Sequence, residues 1–203
     1  VTMADLMTEC NYLNPDVEVI AEVNTAESFQ TFAETLNTGH GLIGTTHAGD
    51  VETLVNRVIE QGLPPYLLRE IDLVVFPRKV DGERYVGEVV ELLGGADYES
   101  LDAAERSGVI EKDGAQIHFN EVGWRTDAGS FEFATAGEGE IAHRVFHRIA
   151  AQTDRTPTEV AAEFERKHRY VEYLVREGVD GFEETFELLA DLQTNEAATV
   201  ERL

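Results

Sequence analysis

Residues 16 to 50, DVEVIAEVNTAESFQTFAETLNTGHGLIGTTHAGD, leave the chain few folds to choose from. VEVIA (17–21) is short, apolar and β-branched, which predicts a strand. AESFQTFAETLN has helical spacing, with Ala26, Phe29, Phe32 and Leu36 predicted on one stripe and Gly39 stopping the helix. LIGTT (42–46) reads as a second strand. Strand, helix and strand at this length form a βαβ unit whose crossover is right-handed and whose strands are parallel. The carboxyl ends of both strands then share one sheet edge, where open α/β sheets bind ligands. Glu22 follows the first end and His47 the second.

The flanking sequence extends this α/β reading. Residues 1–11 predict a helix with Thr2 as N-cap and Asp5 at the matching third position. Asn14-Pro15-Asp16 is a turn. Asp50 caps a helix with Val51, Leu54, Val55 and Val58 on its apolar face and Gly62 past its end. Pro64-Pro65 breaks the chain, and YLLREI predicts a short helix. DLVVFPRKV and RYVGEVVELL form a hairpin about Asp81-Gly82, so pairing is expected to switch from parallel to antiparallel at the sheet's edge. Gly94-Gly95 marks a boundary, which divides the chain into 1–94 and 95–203. Residues 96–114 are polar and weakly patterned, with one or two helical turns at DYESLDAAERSG. A small hairpin follows, from 116–124 to SFEFA. Then come a helix over 138–152, a helix opened by the Thr156-Pro157-Thr158-Glu159 capping box and ended by Gly178, and a last helix from Asp180 or Gly181. That last helix carries Phe182, Phe186, Leu189 and Leu192 and is expected to fray over TNEAATVERL.

Charge narrows the function classes. Forty acids against 16 bases give a net charge of −24, and only Lys79, Lys112 and Lys167 are lysines. The acids are spread along the chain, which reads as a solvated acidic coat of the kind halophiles use. Phosphate-mediated nucleic-acid binding needs a basic patch. The one basic cluster, Arg166, Lys167 and Arg169, shares its helix with Glu163, Glu165 and Glu172, and reads as a solvated face. No apolar run approaches the roughly 20 residues of a membrane helix, and Cys10 has no second cysteine to pair with.

Glu22, ending a strand at the ligand edge, either aligns or activates a water, reaches Mg²⁺ through water, or simply stops the strand. His40 and His47 bracket the second strand. Seven extended residues span roughly 23 Å, so one metal ion does not bridge them, and His47 alone shares the edge with Glu22. His143 and His147 are spaced i, i+4 on one helix face. With no HExxH pattern and no third ligand in view, a solvated or interface face, with Arg144 and Arg148 beside it, is the better reading than a zinc site. His118 and His168 stand alone. Ser28 and Cys10 lack a partner base. No GxxxxGK[ST] occurs in these 203 residues, and no GxGxxG opens a helix.

NPDVEVIAEV followed by TGHGLIGTTHAGD resembles the Walker B segment and histidine box of the type II/type IV secretion and pilus ATPases, the archaeal pilus, archaellum and secretion branch above all. Pro15-Asp16, Glu22, Thr38-Gly39-His40-Gly41 and Thr45-Thr46-His47 carry the match. Arg57 resembles the arginine of the next helix. Pro64-Pro65 and FPRKV resemble the family's proline-containing loop and basic strand end, which contains Arg78. RVFHRIA, TPTEV and HRYVEYLVREGVDGF resemble its C-terminal helical region. The resemblance implies part of a RecA-like P-loop ATPase sheet with an antiparallel edge hairpin, followed by a small hairpin and a C-terminal helical bundle. It implies ATP and Mg²⁺ as cofactors, Glu22 as the acid that activates water, His47 as a γ-phosphate sensor, and His40, Arg57 and Arg78 on the nucleotide side. It further implies a homo-hexamer on a membrane platform protein, cytoplasmic and peripheral to the membrane, with no membrane insertion of its own. Ala21 stands where the family has glycine, and Asn24 where it has arginine. The phosphate loop lies upstream in that family, and a chain without this cradle loses most of its nucleotide affinity. The expectation is therefore the C-terminal portion of a longer ATPase, with a non-catalytic assembly or adaptor paralogue as the alternative.

Overall fold

The structure is a computed structural model and describes residues 2–37, 39, 41–100, 106–133 and 144–202. It divides into two compact units, Val1–Val145 and Phe146–Leu203.

The first unit opens on helix α1 (Met3–Leu13), begun by the expected reciprocal cap. Thr2 N donates to Asp5 Oδ2 at 2.7 Å, and Asp5 N donates to Thr2 Oγ1 at 3.1 Å. Strand β1 (Val17–Ile20), helix α2 (Ala26–Leu36) and strand β2 (Gly41–Gly44) form the βαβ unit. The strands are parallel, with Val17 opposite Gly41 and Ile20 opposite Gly44. Gly44 is a close-approach position, because a Cβ there would lie 3.0 Å from the ring of Phe32 on α2. The stripe on α2 differs from the expected one. Phe29 and Ala33 are buried, but so are Thr31 and Thr35, whereas Ala26 is exposed. The helix is covered on two sides because α1 packs against its second face. Thr31 tolerates burial by donating its hydroxyl to Glu27 O at 2.9 Å.

Helix α3 (Val51–Glu60) buries the expected Val51, Leu54, Val55 and Val58, and Asp50 caps it by accepting from Thr53 N at 2.7 Å. Pro65–Glu70 winds as a 3₁₀ helix that buries Leu67 and Leu68. Strands β3 (Leu73–Val80) and β4 (Glu83–Leu93) pair antiparallel about Asp81-Gly82, both at positive φ, the hairpin turn that matches strand twist. This hairpin does not hydrogen-bond to the β1–β2 pair. It belongs to a second sheet in the order β3-β4-β6-β5, with β7 on β6. Helix α4 (Gly95–Ser100) precedes strand β5 (Ser107–Lys112), which the polar reading of 96–114 missed. Strands β6 (Ala115–Arg125) and β7 (Phe131–Phe133) form the expected small hairpin. The core joins Ile20 and Phe29 of the βαβ unit, Val55 of α3, and Phe76, Leu92 and Ile117 of the larger sheet.

Helix α5 (Arg144–Gln152) begins at the boundary of the units; the rest of the helix expected over 138–152, with His143, lies outside the described residues. In the second unit, helix α6 (Pro157–Glu177) starts on the Thr156/Glu159 capping box and stops at left-handed Gly178, as expected. Helix α7 (Phe182–Arg202) departs from the expected fraying. It continues to Arg202 with a non-helical break at Asn195, and its buried stripe is Leu188, Leu192 and Thr199. Phe182, Phe186 and Leu189 lie on the neighbouring face and are exposed. Phe182 and Phe186 contact one another, with ring centroids 4.5 Å apart. Two residues of the basic cluster pair with acids: Lys167 with Glu163 at 2.6 Å, and Arg166 with Glu196 at 2.6 Å.

Candidate functional site

The β1–β2 pair ends with both carboxyl termini on one edge, and the chain beyond them is held in place. Val23 N donates to Thr45 O at 2.7 Å, and Thr45 Oγ1 donates to Ala21 O. These bonds continue the parallel pairing past the strand ends and fix where Glu22 and His47 emerge. His47 Nε2 lies 3.0 Å from Glu22 Oε1. The pair is open to solvent, with the His47 side chain 76% and the Glu22 side chain 57% accessible.

Two further residues join it. Asn24 Nδ2 donates to the same oxygen, Glu22 Oε1, and Asn24 Oδ1 accepts from Arg57 Nη2 at 3.3 Å. Arg57 comes from the last turn of α3, whose start is fixed by the Asp50 cap. The cluster is therefore a chain of contacts, Arg57 to Asn24 to Glu22 to His47. Asn24 was read from sequence only as a departure from the resembled pattern. Its offset of two from Glu22, on an extended segment, was the available signal for a same-side contact.

Arg78 stands apart from that chain. From β3 it donates to Gly49 O and lies 3.8 Å from Glu88, so it braces the loop two residues beyond His47. Hydrogen bonds from Thr53 hold the Asp50 carboxyl below its ordinary range, with Arg78 adding a smaller effect of the same sign. Burial, and then the charge of Glu121, push the Glu88 carboxyl up. His40 lies outside the described residues.

Among the described residues no group of three or more His, Cys, Asp or Glu is placed to hold a metal ion. His147 is exposed, and Arg144 beside it is half-buried, donates to Leu92 O at 3.2 Å and pairs with Asp97 at 2.8 Å. One acid escaped sequence reading altogether. Glu91, on central strand β4, is 1% exposed and accepts from Val145 N at 2.9 Å and from Asn120 Nδ2 at 3.5 Å. Burial pushes its carboxyl up, and those hydrogen bonds partly oppose the shift.

The arrangement places a carboxylate, an imidazole and a guanidinium around an open sheet edge. Glu22 Oε1 already serves two donors, which leaves one oxygen for an incoming group. A single carboxylate oxygen fits Mg²⁺ through water, since such sites use one or two carboxylates together with substrate phosphates. Arg57 and His47 suit the phosphate side.

Searched against protein-family models, the chain matches none. It is 30% identical over 67 residues to the type II secretion system protein HxcR of Pseudomonas aeruginosa, a match covering 33% of this chain and 14% of that protein. It is similar to the X-ray structure of the Legionella pneumophila ATPase DotB, with a TM-score of 0.40 and 21% identity, over 44% of this chain and 28% of that one. The matched region is thus a small part of each relative's length. No helix among the described residues is long and apolar enough to cross a membrane.

Proposed function

We propose that this chain is the C-terminal part of an ATPase that powers type II/IV secretion or the assembly of a pilus or archaellum. The observation that carries the reading is the Glu22–His47 contact at the carboxyl edge of a parallel strand pair. The limited similarity to a type II secretion protein agrees with it. So does the open face of the pair. Val17, Val19 and Ile43 are exposed, whereas parallel sheets are ordinarily covered on both faces and extended by further strands, as in a RecA-like sheet.

In this reading Glu22 aligns and polarises the attacking water, His47 senses the terminal phosphate, and Arg57, with His40 and Arg78, belongs to the nucleotide side. Mg·ATP, when bound, supplies the phosphoryl group and neutralises its charge. The site is completed by a phosphate loop upstream of these residues. The working form is a homo-hexamer at the cytoplasmic face of the membrane, docked on a membrane platform protein, in a halophilic archaeon.

The test uses the protein together with its upstream coding sequence. An in-frame GxxxxGK[ST] is expected there, and Glu22→Gln should abolish turnover while leaving nucleotide binding. Normal turnover in that variant overturns the assignment. Hydrolysis by the 203-residue chain alone overturns the need for an upstream loop. Absence of an upstream phosphate loop favours instead a non-catalytic assembly or adaptor protein, the reading that Ala21 and Asn24 motivate.

A further inference from the structure

Glu22 Oε1 accepts from both Asn24 Nδ2 and His47 Nε2, and among the described residues no donor reaches Oε2. A free carboxylate presents either oxygen, because its terminal torsion is broad and two-fold. Two donors on one oxygen remove that equivalence and leave Oε2 as the available base.

Asn24 performs this task only in one orientation. Its carboxamide has a donor end and an acceptor end of nearly the same shape. Turned over, it would set Oδ1 against the Glu22 carboxylate and repel it. A guanidinium only donates, so the contact from Arg57 Nη2 selects the orientation in which Oδ1 faces Arg57 and Nδ2 faces Glu22. The main chain of Asn24 is held independently. Its N–H donates to Ser28 Oγ at 3.0 Å, and Ser28 is part of the capping box that starts α2 with Thr25. The side-chain orientation is therefore the remaining freedom, and Arg57 removes it.

We propose that Asn24 and Arg57 are positioning residues, with Arg57 fixing the Asn24 amide and Asn24 fixing which oxygen of Glu22 is offered to water. This rests on Glu22 being the base of the proposed ATPase. It makes the placement of α3, which carries Arg57, a control on the carboxylate without any contact between them.

The test reads geometry first and turnover second. In the 203-residue chain, side-chain ¹H–¹⁵N spectra should show the Asn24 amide protons resolved and protected. Arg57→Ala should speed their exchange several-fold, and Arg57→Lys, which restores a donor, should recover most of the protection. Should Arg57→Ala fail to fold, Asn24→Ala leaves α3 intact and should shift the His47 imidazole resonances, since Glu22 is then free to turn. Unchanged Asn24 exchange in a folded Arg57→Ala chain, or an unmoved His47 in Asn24→Ala, overturns the proposal. In the intact protein, Asn24→Ala should lower kcat at least tenfold with KM for nucleotide unchanged; wild-type kcat there also overturns it. A protein that shows the amide coupling but hydrolyses no nucleotide removes the ATPase reading and, with it, the role given to Oε2, while a hydrolysing protein without the coupling removes this proposal alone.

Discussion

Glu22 Oε1 and His47 Nε2 meet at 3.0 Å although 25 residues separate them, because each follows the carboxyl end of one strand of a parallel pair. The contact needs no long-range coincidence, since the crossover through α2 returns the chain so that both strands end at the same edge. A base placed there contributes about 10²- to 10⁴-fold to a proton-transfer step. On the proposed ATPase reading, Glu22→Gln should cost about that factor in kcat, with nucleotide affinity retained. Single-turnover hydrolysis and an equilibrium binding measurement separate the two effects. Loss of binding with unchanged single-turnover rate would assign Glu22 to ligand affinity instead.

What could be read in advance followed from local rules. Both Asp-Gly hairpins carry their turn signal in two residues, yet only Asp81-Gly82 was read. Asp113-Gly114 likewise has positive φ at both residues and follows SGVIEK, in which Val109 and Ile110 sit among glycine and polar residues. That weak alternation hid β5. Glu91 was hidden for a different reason. Residues Val89–Leu93 are buried without alternation, so β4 is covered on both faces there and an inward acid breaks no visible pattern. Bulk does not decide burial on α7. Leu188 and Leu192 face the small second core with Leu174, while the larger Phe182 and Phe186 do not. The Glu22–His47 contact was legible because topology fixes it. The Asn24–Arg57 contact depends on the placement of α3, which no local pattern reports.

Gly87 is the unpaired residue of the bulge in the β3–β4 hairpin, between the pairs Phe76–Glu88 and Pro77–Val86. Proline offers no N–H to the ladder, and a bulge is where a strand accommodates it. A Cβ on Gly87 would lie 2.6 Å from Arg78 Cγ and 3.2 Å from Phe76 O. The first atom is close to the backbone of Arg78 and cannot swing away without moving the guanidinium. Gly87→Ala should cost about 1–3 kcal/mol, the usual range for overpacking, and detach Arg78 from Gly49 O. Chemical denaturation measures the first effect, and the backbone ¹³C shift of Gly49 measures the second. A fully stable Gly87→Ala chain with an unmoved Gly49 signal would show that the bulge has room to spare.

Glu91 gives a pH dependence with a definite sign. Burial raises its folded-state carboxyl above the ordinary 4.5, so the folded chain holds this proton to higher pH than the unfolded chain. Below 4.5 both states are protonated and no penalty arises. As pH rises from 4.5 through the raised folded value, the unfolded state ionises first and stability is lost. Glutamine keeps the acceptor for Val145 N and cannot ionise. Glu91→Gln should therefore match the wild type below pH 4.5 and exceed it at neutral pH. Glu91→Leu, which leaves the Val145 N–H without this acceptor, should be less stable at every pH. Equal urea midpoints for wild type and Glu91→Gln at pH 7 would mean that the hydrogen bonds to the carboxylate fully offset its desolvation.

Salt should act on the whole chain in the direction set by its charge. Its 40 acids outnumber its 16 bases by 24, so net repulsion outweighs the exposed bridges. Bridges such as Lys167–Glu163 weaken as salt rises, but exposed pairs contribute at most about 1 kcal/mol each. The Debye length falls from about 30 Å at 0.01 M to about 3 Å at 1 M, so low salt leaves charges across a whole unit repelling one another while molar salt confines repulsion to near neighbours. The thermal midpoint should therefore climb between 0.01 and 1 M KCl, steeply at first and more slowly once the Debye length drops below the spacing of neighbouring carboxylates. Most of the gain should survive replacement of Lys167 by alanine, because that change removes one bridge and one base while Glu163 keeps its pairing with Arg155. Equal midpoints at low and molar salt would mean that the acidic coat imposes no net repulsion on the fold, and would remove the physical basis for reading it as a halophilic adaptation.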